Sequence, residues 1–412
     1  MNRKKLIVGL DVGTTKVCTL AARQTDENTL EILGIGNHPS YGLRKGSVVN
    51  IEKTIASIKK SVEDARLMAG TDFDSATVGI AGGHIYSFNS SGVVPIKGEE
   101  VTLEDIHKVI EAAKAVVLPS DREILHVIPQ EFKVDNIPGI KDPIGMCGTR
   151  LEVNVHVVTG QISLIQNLIK CVEMTGITAD QITLQPIASS EAVLTLEEKE
   201  LGVVLVDIGG GTTDVAIWRE GSLVHSQIIP IGGNHFTNDL ALALKIPFNE
   251  AEKLKINFGS VLKDEQNKDS KVKIQGLPGT TPREVELKMV SEILGARAEE
   301  LFKLIKKVAE ESRALNKITG GFVLTGGGSM IKGLPALGEF LLDFPTKVGY
   351  PIPFGGITKN MQNPKYSTVM GLLKLAQRRA ERTPERHKFF RGHGHFIGKI
   401  KESLKSVIKE IF

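Results

Sequence analysis

Two segments of the 412-residue chain end an apolar run in aspartate, continue through glycine and then set two threonines side by side. The first is Gly9-Leu-Asp-Val-Gly-Thr-Thr-Lys16 and the second is Val206-Asp-Ile-Gly-Gly-Gly-Thr-Thr-Asp214. A glycine turn after a buried strand lets backbone N–H groups approach phosphate oxygens, and threonine hydroxyls add donors. Asp11 and Asp207, one from each segment, could hold a hydrated magnesium ion across a cleft through its waters. A third cluster, Leu324-Thr-Gly-Gly-Gly-Ser-Met330, follows a short apolar segment and precedes a helical pattern, where a flat nucleoside could lie against bare backbone. Neither a Walker A loop nor a dinucleotide fingerprint occurs; the nearest approach, Gly392 to Lys399, has the wrong spacing and lacks a hydroxyl residue after the lysine.

Such loops need strands to carry them. Residues 5–12 and 17–22 read as two buried strands joined by a tight turn, and the pattern returns at 201–218, which suggests two related halves. Helical periodicity over Ile51 to Ala69, Ile162 to Thr175 and Glu284 to Leu315 makes the class α/β. Between His84 and Gln161 the texture changes to extended stretches (Ile85 to Ile96, Glu123 to Val134, Leu151 to Val158) around one helix (Thr102 to Val116), which reads as an inserted module. Asn136 to Gly139 and Asp142 to Gly145 read as chain reversals.

Composition bounds the function. With 41% hydrophobic and 24% charged residues and no apolar run of about 18 residues, the chain reads as a globular protein rather than a transmembrane one. Three distant cysteines and no cleavable leader pattern fit a cytoplasmic setting. The net charge of +3 hides an asymmetry: the last 35 residues carry 10 basic and 4 acidic residues, and the rest of the chain 41 and 44. A chain-wide nucleic-acid surface is not supported, whereas the tail calls for a local anionic partner.

In sequence and in order, the three loops resemble the phosphate 1, phosphate 2 and adenosine motifs of the actin, heat-shock-chaperone and sugar-kinase superfamily. Within it the chain is most similar to the bacterial cell-division FtsA family, through these motifs, Ile124 to Phe132, Asp142 to Met146 and the terminal helix. The resemblance implies an actin-like, ribonuclease-H-like two-lobed ATPase fold with an inserted subdomain IC. Its expected boundaries are 1–83 and 162–200 for subdomain IA, 84–161 for IC, 201–237 for IIA, 238–316 for IIB and 317–379 for the return through IIA and IA. A basic linker, 380–395, and an amphipathic helix, 396–412, complete the chain.

The resemblance also implies ATP with Mg2+ as ligands. Gly13, Thr14, Thr15 and Lys16 would line the phosphates from one side and Gly209, Gly210, Gly211, Thr212 and Thr213 from the other. Gly326, Gly327, Gly328 and Ser329 would face the adenosine. Glu252 and Lys255 match a Glu-x-x-Lys pattern that reaches the nucleoside from subdomain IIB. Gln185 stands where chaperone relatives carry a glutamate; an amide orients water but accepts no proton, so hydrolysis is expected to be slow and the protein an adaptor rather than an enzyme. The family's partners would be the C-terminal tail of FtsZ, met by Arg297 on subdomain IIB, later division proteins, and further copies of the chain in a filament.

The tail reads as a membrane device. Over a helix at ~100° per residue, Phe396, Ile397, Ile400, Leu404, Val407, Ile408, Ile411 and Phe412 fall within an arc of about 160°, flanked by lysines. Such a helix would lie in an anionic lipid interface at the cytoplasmic face of the cell membrane, at the division septum. Nucleic acid is not expected, because the aromatic residues are not interleaved for base stacking. The alternatives are a pilus-assembly adaptor on the same scaffold, or a sugar-kinase or chaperone-type ATPase.

Overall fold

The apolar residues Ile7, Val8, Leu10 and Val12 lie on strand Leu6–Val12, which is buried on both faces. That burial explains why the segment reads as a continuous apolar run rather than an alternating one. The computed structural model describes residues 6–25, 29–262, 270–276, 281–356 and 361–382.

Strand Leu6–Val12 pairs antiparallel with Lys16–Gln24, which pairs antiparallel with Leu30–Pro39; on its other side it runs parallel to Ser75–Ile80, and Thr178–Leu184 follows. The second lobe repeats this order. Val203–Ile208 is flanked by the antiparallel Thr213–Arg219 and Ser222–Ile229 on one side and by the parallel Phe322–Thr325 and Thr346–Val348 on the other. The sequence repeat is thus a repeat of topology.

Local signals set the helices that cover the sheets. Asn50 caps Ile51–Ala69 by accepting the Lys53 N–H at 2.9 Å, and Gly70 ends it at φ 63°. Helix Leu287–Glu311 buries Leu294, Ala298, Leu301, Phe302 and Ile305 against the second sheet. It begins three residues later than the periodicity suggests, because Arg283–Glu286 pairs with Lys271–Ile274.

The inserted module is a four-stranded antiparallel sheet, Tyr86–Pro95, Arg150–Gln161, Arg122–Val134 and Ile137–Ile140, backed by helix Leu103–Lys114. Thr102 and Asp105 form a capping box at the start of that helix. The reversal expected over Asn136 to Gly139 is shorter: Asp135, at φ 51°, and Asn136 turn the chain, and Ile137 already pairs with Val134.

Two further boundaries shift. The division expected at 237/238 falls inside helix Gly233–Leu244, whose Phe236 and Leu240 share one core with Val204, Val206, Leu294 and Phe302. Helix Ser367–Arg382 continues through residues 380–382, which were expected to belong to the linker. It packs with helix Gln185–Val193 between the lobes, where Val369, Met370 and Leu373 meet Leu20, Val193 and Leu205. The rest of the linker and the helix expected over 396–412 lie outside the described residues. Among those described, no helix is long and apolar enough to cross a membrane.

Candidate functional site

The two glycine–threonine loops are built alike and face each other. In the first, the Gly13 N–H donates to the Lys16 carbonyl at 2.9 Å; in the second, the Gly209 N–H donates to the Thr212 carbonyl, also at 2.9 Å. A Cβ at Gly210 would lie 2.2 Å from Thr15 Cγ2, and one at Gly211 would lie 2.6 Å from Thr14 Oγ1. The backbone of one loop therefore touches the side chains of the other, a close approach only glycine permits. Thr14 Oγ1 accepts the Gly46 N–H at 3.1 Å, and Thr15 is exposed. Thr213 is turned away into its own lobe, fully buried and donating to the Ile231 carbonyl at 2.8 Å, so its hydroxyl is not a phosphate donor as expected.

Carboxylates flank the loops. Asp11 is met by Lys16 Nζ at 2.6 Å and by Gln185 Nε2 at 3.1 Å. Burial works against the Lys16 charge, but its neighbours together, Asp11 foremost, hold the ammonium above its ordinary value. Asp207 is buried and accepts from Ser189 Oγ and, at 3.2 Å, from Thr368 Oγ1. Burial pushes its carboxyl up, against the pull of the Ser189 hydroxyl. Asp214 sits opposite Asp207 in the ladder, and its Oδ1 is buried without a hydrogen-bond partner. Burial, and then Asp207, push its carboxyl well up.

An orphaned carboxylate oxygen beside a second buried carboxylate is an arrangement a cation relieves. Among the described residues no group of three His, Cys, Asp or Glu side chains is placed to ligate an ion directly.

Gln185 opens helix Gln185–Val193, directly after strand Thr178–Leu184. Its side chain crosses over Gly79, where a Cβ would lie 3.2 Å from Gln185 Cγ, to reach Asp11 in the neighbouring strand. Glu191, two residues past Ser189 and so on another side of the helix, is paired with Lys199 at 2.5 Å and Arg378 at 2.6 Å.

The third cluster is more closed than its composition suggests. Gly326 adopts φ 81°, and a Cβ there would lie 2.2 Å from Asp207 Oδ1. Gly328 and Ser329 are buried in a 3-10 turn, and Ser329 Oγ donates to the Gly326 carbonyl at 2.8 Å. Of the four residues expected at the adenosine, Gly327 is the exposed member.

Lys255 Nζ binds Glu252 at 2.8 Å, Thr237 Oγ1 at 2.8 Å and the Gly233 carbonyl at 3.1 Å. That carbonyl opens the helix whose Gly233 and Asn234 N–H groups donate to Gly209 and Gly210, so the pair buttresses the second loop. Arg297 is already engaged: Asp239 takes it in a bidentate pair at 2.6 and 3.0 Å, and Glu300 takes its third nitrogen. That bidentate bond raises the guanidinium further above its ordinary value.

Three residues of the site were not singled out in the sequence. Asp214 lay in view, two residues past Thr212, and strand register alone returns it to Asp207. Ser189 follows Gln185 by four residues on one helix, a spacing that puts both on one face. Thr368 comes 161 residues after Asp207 and left no local signal.

The fold and the site together define an actin-like protein, two repeated lobes closing on paired glycine–threonine loops. Consistent with this, the chain resembles the type IV pilus biogenesis complex PilM-PilN (TM-score 0.68, 16% identity, 91% of this chain and 99% of that one). It also resembles MreB5 of Spiroplasma citri bound to ADP (TM-score 0.56, 17% identity, 92% of this chain and 98% of that one). A family model described as Cell division protein FtsA matches residues 204–371, and one described as SHS2 domain inserted in FTSA matches residues 82–159. Cell division protein FtsA of Pseudomonas aeruginosa is 45% identical over 369 residues, 90% of this chain and 88% of the relative. That of Neisseria meningitidis serogroup B is 42% identical over 375 residues, 91% of each, and that of Escherichia coli K12 is 37% identical over 377 residues, 90% of each. The chain belongs to the FtsA family of cell division proteins.

Proposed function

We propose that the chain binds ATP with magnesium between its lobes, assembles with further copies of itself, and tethers FtsZ to the cytoplasmic face of the membrane while recruiting later division proteins. The observation that carries the nucleotide reading is the facing of Thr14 and Thr15 against Gly210 and Gly211, with Asp11 and Asp207 on either side. Backbone N–H groups of both loops and the Lys16 ammonium would hold the phosphates. Asp11, Asp207 and Asp214 would hold the waters of magnesium, which supplies charge neutralisation at the phosphates. Gln185 would orient a water without taking its proton, so turnover is slow and the nucleotide acts chiefly as a structural ligand.

The tether reading rests on family membership together with the basic tail. A lone interfacial helix binds reversibly, and a filament presenting many such helices binds far better. The pilus-adaptor alternative shares the scaffold, but the match over residues 82–159 to the domain inserted in FtsA favours the division reading. Titration of ATP into the purified chain by calorimetry tests the nucleotide site. Saturable, magnesium-dependent binding is expected, and its absence at millimolar ATP would overturn the reading.

A further inference from the structure

A side chain of the inserted subdomain meets the start of the cleft helix. His126, on strand Arg122–Val134, lies with its Nε2 3.0 Å from the backbone nitrogen of Leu184. A backbone N–H can only donate, so Nε2 must carry a free lone pair and the ring proton must sit on Nδ1. Burial lowers the imidazole to about 4, which keeps it a neutral acceptor near pH 7.

Leu184 is the last residue before helix Gln185–Val193 and makes no side-chain cap there. Its immediate neighbour, Gln185, donates to Asp11, and Ser189 on the same helix donates to Asp207. The N–H that His126 accepts therefore belongs to the point from which both carboxylates are reached. Two residues along the same strand, Ile128 packs into the core shared by the lobes.

The module that carries His126 is itself seated on the second lobe. His156, fully buried, joins Asn89 Oδ1 at 2.7 Å to Ser226 Oγ at 2.9 Å. Ser87 Oγ donates to the Ser226 carbonyl at 2.6 Å, and Gln130 Nε2 to the Leu223 carbonyl at 3.2 Å. These bonds hold the module against Ser222–Ile229, the outer strand of the second sheet. One end of the module grips the second lobe while His126 grips the first.

We propose that His126 is a positioning residue for Gln185: by accepting the Leu184 N–H it fixes the start of the cleft helix, so that the seat of the inserted subdomain sets how Gln185 meets Asp11. The consequence for turnover rests on the nucleotide reading above; the hydrogen bond does not.

The test uses the full chain. In 15N-histidine spectra His126 is expected as the Nδ1–H tautomer at neutral pH, and an Nε2–H tautomer or an imidazolium would overturn the assignment. His126→Gln places an amide oxygen close to the position of Nε2, whereas His126→Phe keeps the bulk without an acceptor. Amide exchange at Leu184 should accelerate about tenfold in His126→Phe, as loss of one hydrogen bond implies, and return towards the parent rate in His126→Gln. Unchanged exchange in His126→Phe would overturn the proposal. With ATP, His126→Phe should lower kcat as much as Gln185→Ala does, with KM unchanged, and the double variant should lose no more. An additive double variant would overturn the positioning role. If the parent chain fails to bind ATP, the nucleotide reading falls, and the tautomer and exchange measurements still decide the role of His126.

Discussion

Asp207 lies directly opposite Asp214 in the antiparallel ladder of the second lobe, at the position where the first lobe pairs Asp11 with Cys18. The two lobes share a strand order but not a charge: the second carries an extra buried carboxylate beside its glycine loop. Both of its carboxylates are pushed towards the neutral form by burial.

Asp214→Asn should therefore stabilise the metal-free chain near neutral pH, by about 1 kcal/mol or more, because an amide tolerates burial where a carboxylate does not. The same substitution should weaken magnesium-dependent ATP binding about tenfold, the loss of roughly one charge-assisted contact. Urea unfolding in the presence of a chelator and calorimetry with magnesium check the two halves separately.

Gly210→Ala should separate the loops. Its φ needs no left-handed backbone, so the penalty is steric: the new methyl meets the branched Thr15 side chain at 2.2 Å. ATP affinity should fall by about tenfold or more with little change in melting temperature, and adding Thr15→Ala should restore part of it, since the clash is between these two residues. Binding isotherms of the single and double variants measure this.

Acid should weaken the chain through its buried His156 and the half-buried His126 and His84. Burial, with His225 nearby, lowers His156 from 6.5 to about 3, and burial lowers His126 and His84 to about 4. Between those values and 6.5 the unfolded chain binds more protons than the folded one, so stability rises with pH and is lost as pH falls through that window. His156→Phe should flatten part of the slope, while losing about 2 kcal/mol at pH 7 because Asn89 and Ser226 lose a buried partner. Denaturant midpoints from pH 3.5 to 7 follow both effects.

Arg297 can meet an acidic peptide only by exchanging its present partner. If the FtsZ tail takes the place of Asp239, then Asp239→Asn frees the guanidinium and should tighten binding of an FtsZ C-terminal peptide severalfold, whereas Arg297→Glu should abolish it. Fluorescence anisotropy of the labelled peptide distinguishes these; equal affinity in all three proteins would remove Arg297 from the interface.

Much of the cleft was legible because its signals are local. Strand, glycine turn and paired threonines occupy contiguous residues in each half, and the topology repeats as the sequence does. What was not legible depends on distance or on side-chain direction. Thr368 reaches Asp207 from the other end of the chain, and Asp239 claims Arg297 across 58 residues. Thr213 and Ser329 have the residue types of phosphate and nucleoside contacts, yet strand alternation turns one inward and a 3-10 turn buries the other. Composition could not tell a glycine that receives a ligand from one that admits another loop; Gly210 and Gly211 receive Thr15 and Thr14.

The adaptor reading is tested most directly by pelleting FtsZ filaments with anionic lipid vesicles in the presence of ATP, with the full chain and with a chain lacking residues 396–412. FtsZ should pellet with the vesicles only when the full chain is present, and the truncated chain should bind FtsZ but leave it in solution. Recruitment that survives the truncation, or its absence with the full chain, would contradict the assignment.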